Sequence, residues 1–123
     1  MRETDYQIPP KEGFILTHFL TVADVKRSAE FYLRILGGDI VLEGEPTDDK
    51  PTVTLRTPQN MNEVSNFMNI RVADIWSCYE EWRRKGAEFL TEPKDHRFEI
   101  RCYMRDPDGY IIEVGQSKSG SIK

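Results

Sequence analysis

Val22-Ala23-Asp24-Val25 returns fifty residues later as Val72-Ala73-Asp74-Ile75, and this echo organises the whole chain. Each copy follows an alternating stretch and precedes a helical one. In the first copy, Phe14 to Val22 alternates as a strand does. Asp24 is placed to cap a helix whose apolar positions Val25, Ala29, Tyr32, Leu33 and Leu36 keep helical spacing, and Gly37 can end it. In the second, Asn66 to Val72 is the strand, Asp74 the cap, Ile75, Cys78, Tyr79 and Trp82 the stripe, and Gly86 the stop. After each helix the pattern returns to strand. The candidates are Asp39 to Glu43 and Pro51 to Thr57 in the first half, then Glu88 to Leu90, Glu99 to Met104 and Tyr110 to Gly115 in the second. Two β-α-β units therefore share one domain over residues 1–123, the first at about 14–57 and the second at about 66–116.

The second unit ends in Arg105-Asp106-Pro107-Asp108-Gly109. Proline is preset for a type I turn, and glycine can take the left-handed position that follows. A three-residue loop at 107–109 sets Asp106 against Tyr110, Tyr103 against Glu113 and Arg101 against Gly115. The opposite face, with Ile100, Cys102, Met104, Tyr110, Ile112 and Val114, is almost uniformly apolar and should pack under the helices. The copies also differ in length: Val22 to Thr57 is 35 residues and Val72 to Gly115 is 43, so the first unit is short by about one strand. Residues 44–51 carry two prolines and no alternation, and cannot supply it. A sheet short of a strand leaves an open edge, which points to a homodimer.

Composition excludes several classes of function. With 17 Lys and Arg against 21 Asp and Glu, the net charge of −4 offers no basic surface for a nucleic acid backbone. No apolar run is long enough to cross a membrane, and residues 1–13 are polar, so the expected location is cytoplasmic. Cys78 and Cys102 lie far apart without a zinc spacing and read as two buried thiols.

The segment His18 to Gly38, its echo at Val72 to Gly86, and Arg105-Asp-Pro-Asp-Gly-Tyr-Ile-Ile-Glu-Val114 closely resemble the vicinal-oxygen-chelate superfamily. That superfamily includes glyoxalase I, extradiol dioxygenases, fosfomycin-resistance thiol transferases and bleomycin-binding proteins. The resemblance spans roughly residues 14–116 and implies an α+β fold of paired βαβββ modules curled around a cavity, usually completed in a dimer and often holding a divalent metal. In metal-dependent members a histidine stands five residues before the Val of Val-x-Asp in each half, and a glutamate four residues after the Gly of Asp-Pro-Asp-Gly. Those positions are Thr17, Phe67 and Glu113 here, and a further carboxylate known from glyoxalase I would fall near Thr54. Only Glu113 is a ligand type, and one carboxylate falls short of the three or four donors a transition metal takes. His18 neighbours the first ligand position, but alternation sends it to the helix side as a partly buried residue unless a bulge shifts the register. His96 reads as a loop residue near the cavity mouth.

The expected cavity face carries Thr17, Phe19 and Thr21, then Phe67, Asn69 and Arg71, then Arg101, Tyr103, Glu113 and Gly115. Aromatic walls with a few polar groups are the usual makeup of a small-molecule site. The plain alternative is that Arg71, Arg101, Tyr103 and Glu113 only satisfy one another across a solvated sheet, and for Arg71 that alternative is preferred. The expected ligand contacts are Thr17, Phe19, Phe67, Asn69, Arg101 and Tyr103. Tyr103 and Glu113 are carried over from the family's reacting centre, and Glu113 with His18 are the candidate metal ligands.

Two functions follow. The first is a metal-free protein that binds an aromatic metabolite or drug in a homodimer, and the second is a lyase, isomerase or dioxygenase using Zn, Ni, Fe or Mn at Glu113. An interaction module resting on the open edge alone comes last.

Overall fold

The computed structural model describes residues 12–14, 18–40, 54–64 and 66–118. In chain order the elements are α1 (Val25–Arg34), β1 (Phe67–Arg71), α2 (Ile75–Arg84), β2 (Glu88–Phe89), β3 (Lys94–Asp95), β4 (Glu99–Arg105) and β5 (Ile111–Ser117). Among the described residues the fold is mixed α+β: one five-stranded sheet with two helices, ordered β1-β5-β4-β2, with β3 also paired to β4. β4 and β5 are antiparallel, and β1 lies parallel to β5 with Phe67 opposite Ile111 and Arg71 opposite Gly115.

The echoed motif works as a pair of helix starts. Asp24 and Asp74 sit in extended backbone, and each carboxylate accepts from the amide three residues on, Arg27 at 3.2 Å and Ser77 at 3.1 Å. Gly37 and Gly86, with φ of 75° and 100°, let the chain leave each helix through the left-handed region.

The predicted hairpin is present in the predicted register, with Tyr103 opposite Glu113 and Arg101 opposite Gly115. Its turn is organised by Asp106, which is buried. One carboxylate oxygen accepts from the amides of Asp108 and Tyr110, both at 2.9 Å, and the other from the Tyr32 hydroxyl of α1 at 2.8 Å. Beside it Arg27 pairs with Asp108 at 2.8 Å. The core lies between the helices and the apolar face of β4 and β5, where Ile35, Ile75, Trp82, Cys102, Met104, Ile112 and Val114 pack together.

Three expectations change. The stripe of α2 holds, but α1 is rotated by somewhat less than one residue's turn. Val25 is 74 % exposed and Leu33 is exposed, while Ser28 and Ile35 face the sheet with Phe31, Tyr32 and Leu36. The two polar ties from α1 to the hairpin turn select that rotation, which helical spacing alone leaves open. Second, the shortened first unit contributes α1 and, among the described residues, no strand. Residues 18–22, 39–40 and 54–57 are irregular, and the rest of the expected strands at 14–22, 39–43 and 51–57 lies outside the described residues, apart from Phe14. The backbone near the echoed motif is taken up by side chains instead of a ladder: the Thr21 carbonyl accepts from the Tyr110 hydroxyl at 2.8 Å, and the Ala23 amide donates to Asp108 at 3.0 Å. Third, Cys102 is buried as expected, whereas Cys78 is only partly covered.

Burial first, then the hydrogen bond to Asp106, push the Tyr32 phenol well above its ordinary pKa of about 10. A folded state that holds this proton more tightly than the unfolded chain loses stability as pH rises past about 10. Urea unfolding followed from pH 8 to 11 should show that fall, and Tyr32→Phe should make it shallower. Asp106→Ala strands three donors and should cost about 3 kcal/mol at neutral pH by the same measurement.

Candidate functional site

The face of the sheet away from the helices carries the candidate site. Same-side positions of three neighbouring strands meet there, because β1, β5 and β4 place Asn69, Glu113 and Tyr103 in one row. Glu113 is the centre of that row. Its Oε1 accepts from Asn69 Nδ2 at 2.6 Å and its Oε2 from the Tyr103 hydroxyl at 2.7 Å, so both oxygens are held by neutral donors. Phe67, half exposed, stands edge to face with Tyr103 at 6.2 Å between ring centroids. Tyr103 is in turn pinned along β4, its amide donating to Thr91 Oγ1 at 3.2 Å and its carbonyl accepting from the Leu90 amide at 2.8 Å.

One step along the same face lies a row of charge. Arg71 Nη1 donates to Glu99 Oε1 at 2.7 Å, and Arg101 Nη1 to Glu99 Oε2 at 3.0 Å. These bonds, Arg71's first, hold the Glu99 carboxyl below its usual range. At the other end of the face, buried Arg105 donates to the Met61 carbonyl at 2.6 Å and to the Gly109 carbonyl at 2.9 Å.

Of the expected ligand contacts, Phe67, Asn69 and Tyr103 come together around Glu113, the residue carried over from the family's reacting centre, and Arg101 is the next residue along β4 on that face. Phe19 is 93 % exposed and stands outside the group, and Thr17 lies outside the described residues. His18 is exposed, not half-buried as expected: residues 18–22 form no strand, so alternation does not govern its direction. Among the described residues no three His, Cys, Asp or Glu side chains gather into a metal-ligand cluster. Thr54 is exposed in irregular chain. The sequence reading missed Glu99, although its spacing of two residues from Arg101 and four from Tyr103 marks it for the same face.

The family model for the Glyoxalase/Bleomycin resistance protein/Dioxygenase superfamily matches residues 15–114. A lactoylglutathione lyase of Neisseria meningitidis serogroup A is 26% identical, the match covering 86% of this chain and 92% of that protein. A probable lactoylglutathione lyase of Synechocystis is 27% identical over 86% of this chain and 97% of its own. Among solved structures, a superfamily member from Sphaerobacter thermophilus superposes with a TM-score of 0.66 at 16% identity, covering 86% of this chain and 98% of that one. An antibiotic-binding protein from Streptomyces sp. CB03234 superposes at 0.62 with 19% identity, over 86% and 100% of the two chains. At these identities the solved structures establish the fold.

The Tyr103 phenol is raised above its ordinary pKa chiefly because its proton is shared with the Glu113 carboxylate. Glu113→Gln should therefore let Tyr103 ionise nearer the usual value of about 10, read as an earlier phenolate rise in an ultraviolet pH titration against Tyr103→Phe.

Proposed function

The chain belongs to the glyoxalase/bleomycin resistance/dioxygenase superfamily, and from that premise we propose that it is a small-molecule binding protein with a degenerate metal site. Its ligand is an aromatic metabolite or drug, held on the open sheet face around Phe67, Tyr103 and Glu113, with Asn69 and Arg101 as polar contacts. The observation that carries this reading is the state of Glu113. With Asn69 and Tyr103 on its two oxygens, the carboxylate has a neutral hydrogen-bonded surround suited to orienting a ligand. One carboxylate, one amide and one phenol are a poor donor set for a transition metal, and the exposed His18 joins no cluster of candidate ligands among the described residues.

A second reading is a metal-dependent lyase, isomerase or dioxygenase using Glu113. It is favoured by the lactoylglutathione lyases among the relatives. Metal analysis of protein purified without chelators separates the two. The binding reading expects less than stoichiometric Ni, Zn, Fe or Mn, and a full equivalent that disappears in Glu113→Gln would overturn it. No nucleic acid partner and no membrane partner is proposed, and no helix among the described residues is long and apolar enough to cross a membrane. A cytoplasmic location is part of the same proposal.

The working unit is a homodimer. Phe14 and Phe19 are 89 % and 93 % exposed, Val25 is exposed, and β1 is an edge of the sheet among the described strands. Light scattering at micromolar concentration should give twice the mass of the chain, and a monomer mass would count against this assembly. Calorimetric titration with a panel of aromatic metabolites and antibiotics tests the ligand. At least one should bind saturably, and Phe67→Ala should weaken it about tenfold. A panel without any saturable response would defeat the proposal.

A further inference from the structure

Beyond the Glu113 row, the open sheet face ends in a depression of about 290 Å³ lined by Arg71, Arg97 and Arg101 with His96, Phe98 and Glu99. Its charge runs against that of the protein. The chain as a whole carries −4, while three arginines against one glutamate leave this depression positive.

The cluster depends on Gly115, which lies between Arg71 and Arg101 in the sheet. A Cβ at this position would overlap Arg71 Nη1, and would come within 2.9 Å of Arg71 Cζ and 3.0 Å of Glu99 Oε1. The Arg71 guanidinium lies across β5 because no side chain stands there. From that position its Nη2 also donates to Ser117 Oγ at 2.8 Å. Glu99, one oxygen to each arginine, holds two like-charged groups side by side. A guanidinium has five N–H donors, and among the described residues Arg71 uses two of its own and Arg101 one. Arg97 brings a third cation, its guanidinium 4.9 Å from the Phe98 ring centroid. Same-face positions along a strand are about 7 Å apart, which puts these donors one aromatic ring away from Tyr103 and Glu113.

We propose that this depression is an anion subsite, taking the carboxylate of a ligand whose aromatic body lies along Phe67 and Tyr103 and whose far end meets Glu113. The inference rests on the ligand-binding reading above and narrows the ligand to an aromatic acid. Planar guanidinium forks suit a carboxylate, and the neighbouring Tyr103–Phe67 pair supplies the apolar wall.

The test is calorimetric titration of the intact protein with 4-hydroxybenzoate and with its neutral isostere 4-hydroxybenzamide, accompanied by amide NMR shifts. The acid should bind at least about tenfold more tightly, with shifts at Gly115, Arg101 and Tyr103. Arg101→Gln should abolish that preference, weakening the acid more than the amide. Gly115→Ala, which pushes Arg71 off the sheet floor, should weaken the acid alone. Equal affinities for acid and amide, a preference that survives in both variants, or no saturable binding of either probe would overturn the subsite. If the aromatic panel still binds in any of those cases, the ligand-binding reading stands and only the anion subsite fails.

Discussion

The structure turns on a buried carboxylate. Asp106 gathers two amides of its own turn and the hydroxyl of Tyr32 from a helix 74 residues earlier. A buried acceptor left short of its donors is costly, so this constellation forms as a whole. It locks the hairpin register, and with it the pairing of Tyr103 with Glu113. It also fixes the rotation of α1 over the sheet.

From that register the two faces of β4 and β5 take separate roles. One is filled by Met104, Ile112, Val114 and Cys102 against the helices, a dry surface whose cost of exposure prevents a one-residue slip. The other is consequently left with the polar half of the alternation, and the parallel addition of β1 brings Asn69 and Arg71 into the same rows. Core and site are thus two sides of one pairing pattern. The polar face divides along its length into a neutral row at Glu113 and, one same-face step on, a charged row at Arg71 and Arg101, which Glu99 joins. In the binding mode proposed above, one end would orient a ligand by hydrogen bonds and the other by charge.

A superfamily fold hosts more than one chemistry, so the reading of this chain rests on its own residues. Phenylalanine at position 67 and threonine at position 17 stand where the resemblance calls for histidines, while the glutamate at position 113 is kept and surrounded by an amide and a phenol. Each oxygen of that carboxylate accepts one hydrogen bond, from Asn69 and from Tyr103.

Much of this was legible in the chain itself. The repeated Val-Ala-Asp motif marks both caps, the Asp-Pro-Asp-Gly turn dictates a three-residue hairpin, and period-two counting from that turn places Tyr103 opposite Glu113. Each depends on residues a few positions apart, where covalent geometry and local hydrogen bonds leave few choices. The rotation of α1, the exposure of His18, the irregular path of residues 18–22 and the meeting of Arg71, Glu99 and Arg101 over Gly115 were decided by the tertiary structure. For α1 and for the arginines over Gly115, groups far apart in sequence meet at the same donors, acceptors or space, and only their three-dimensional arrangement determines which partner prevails.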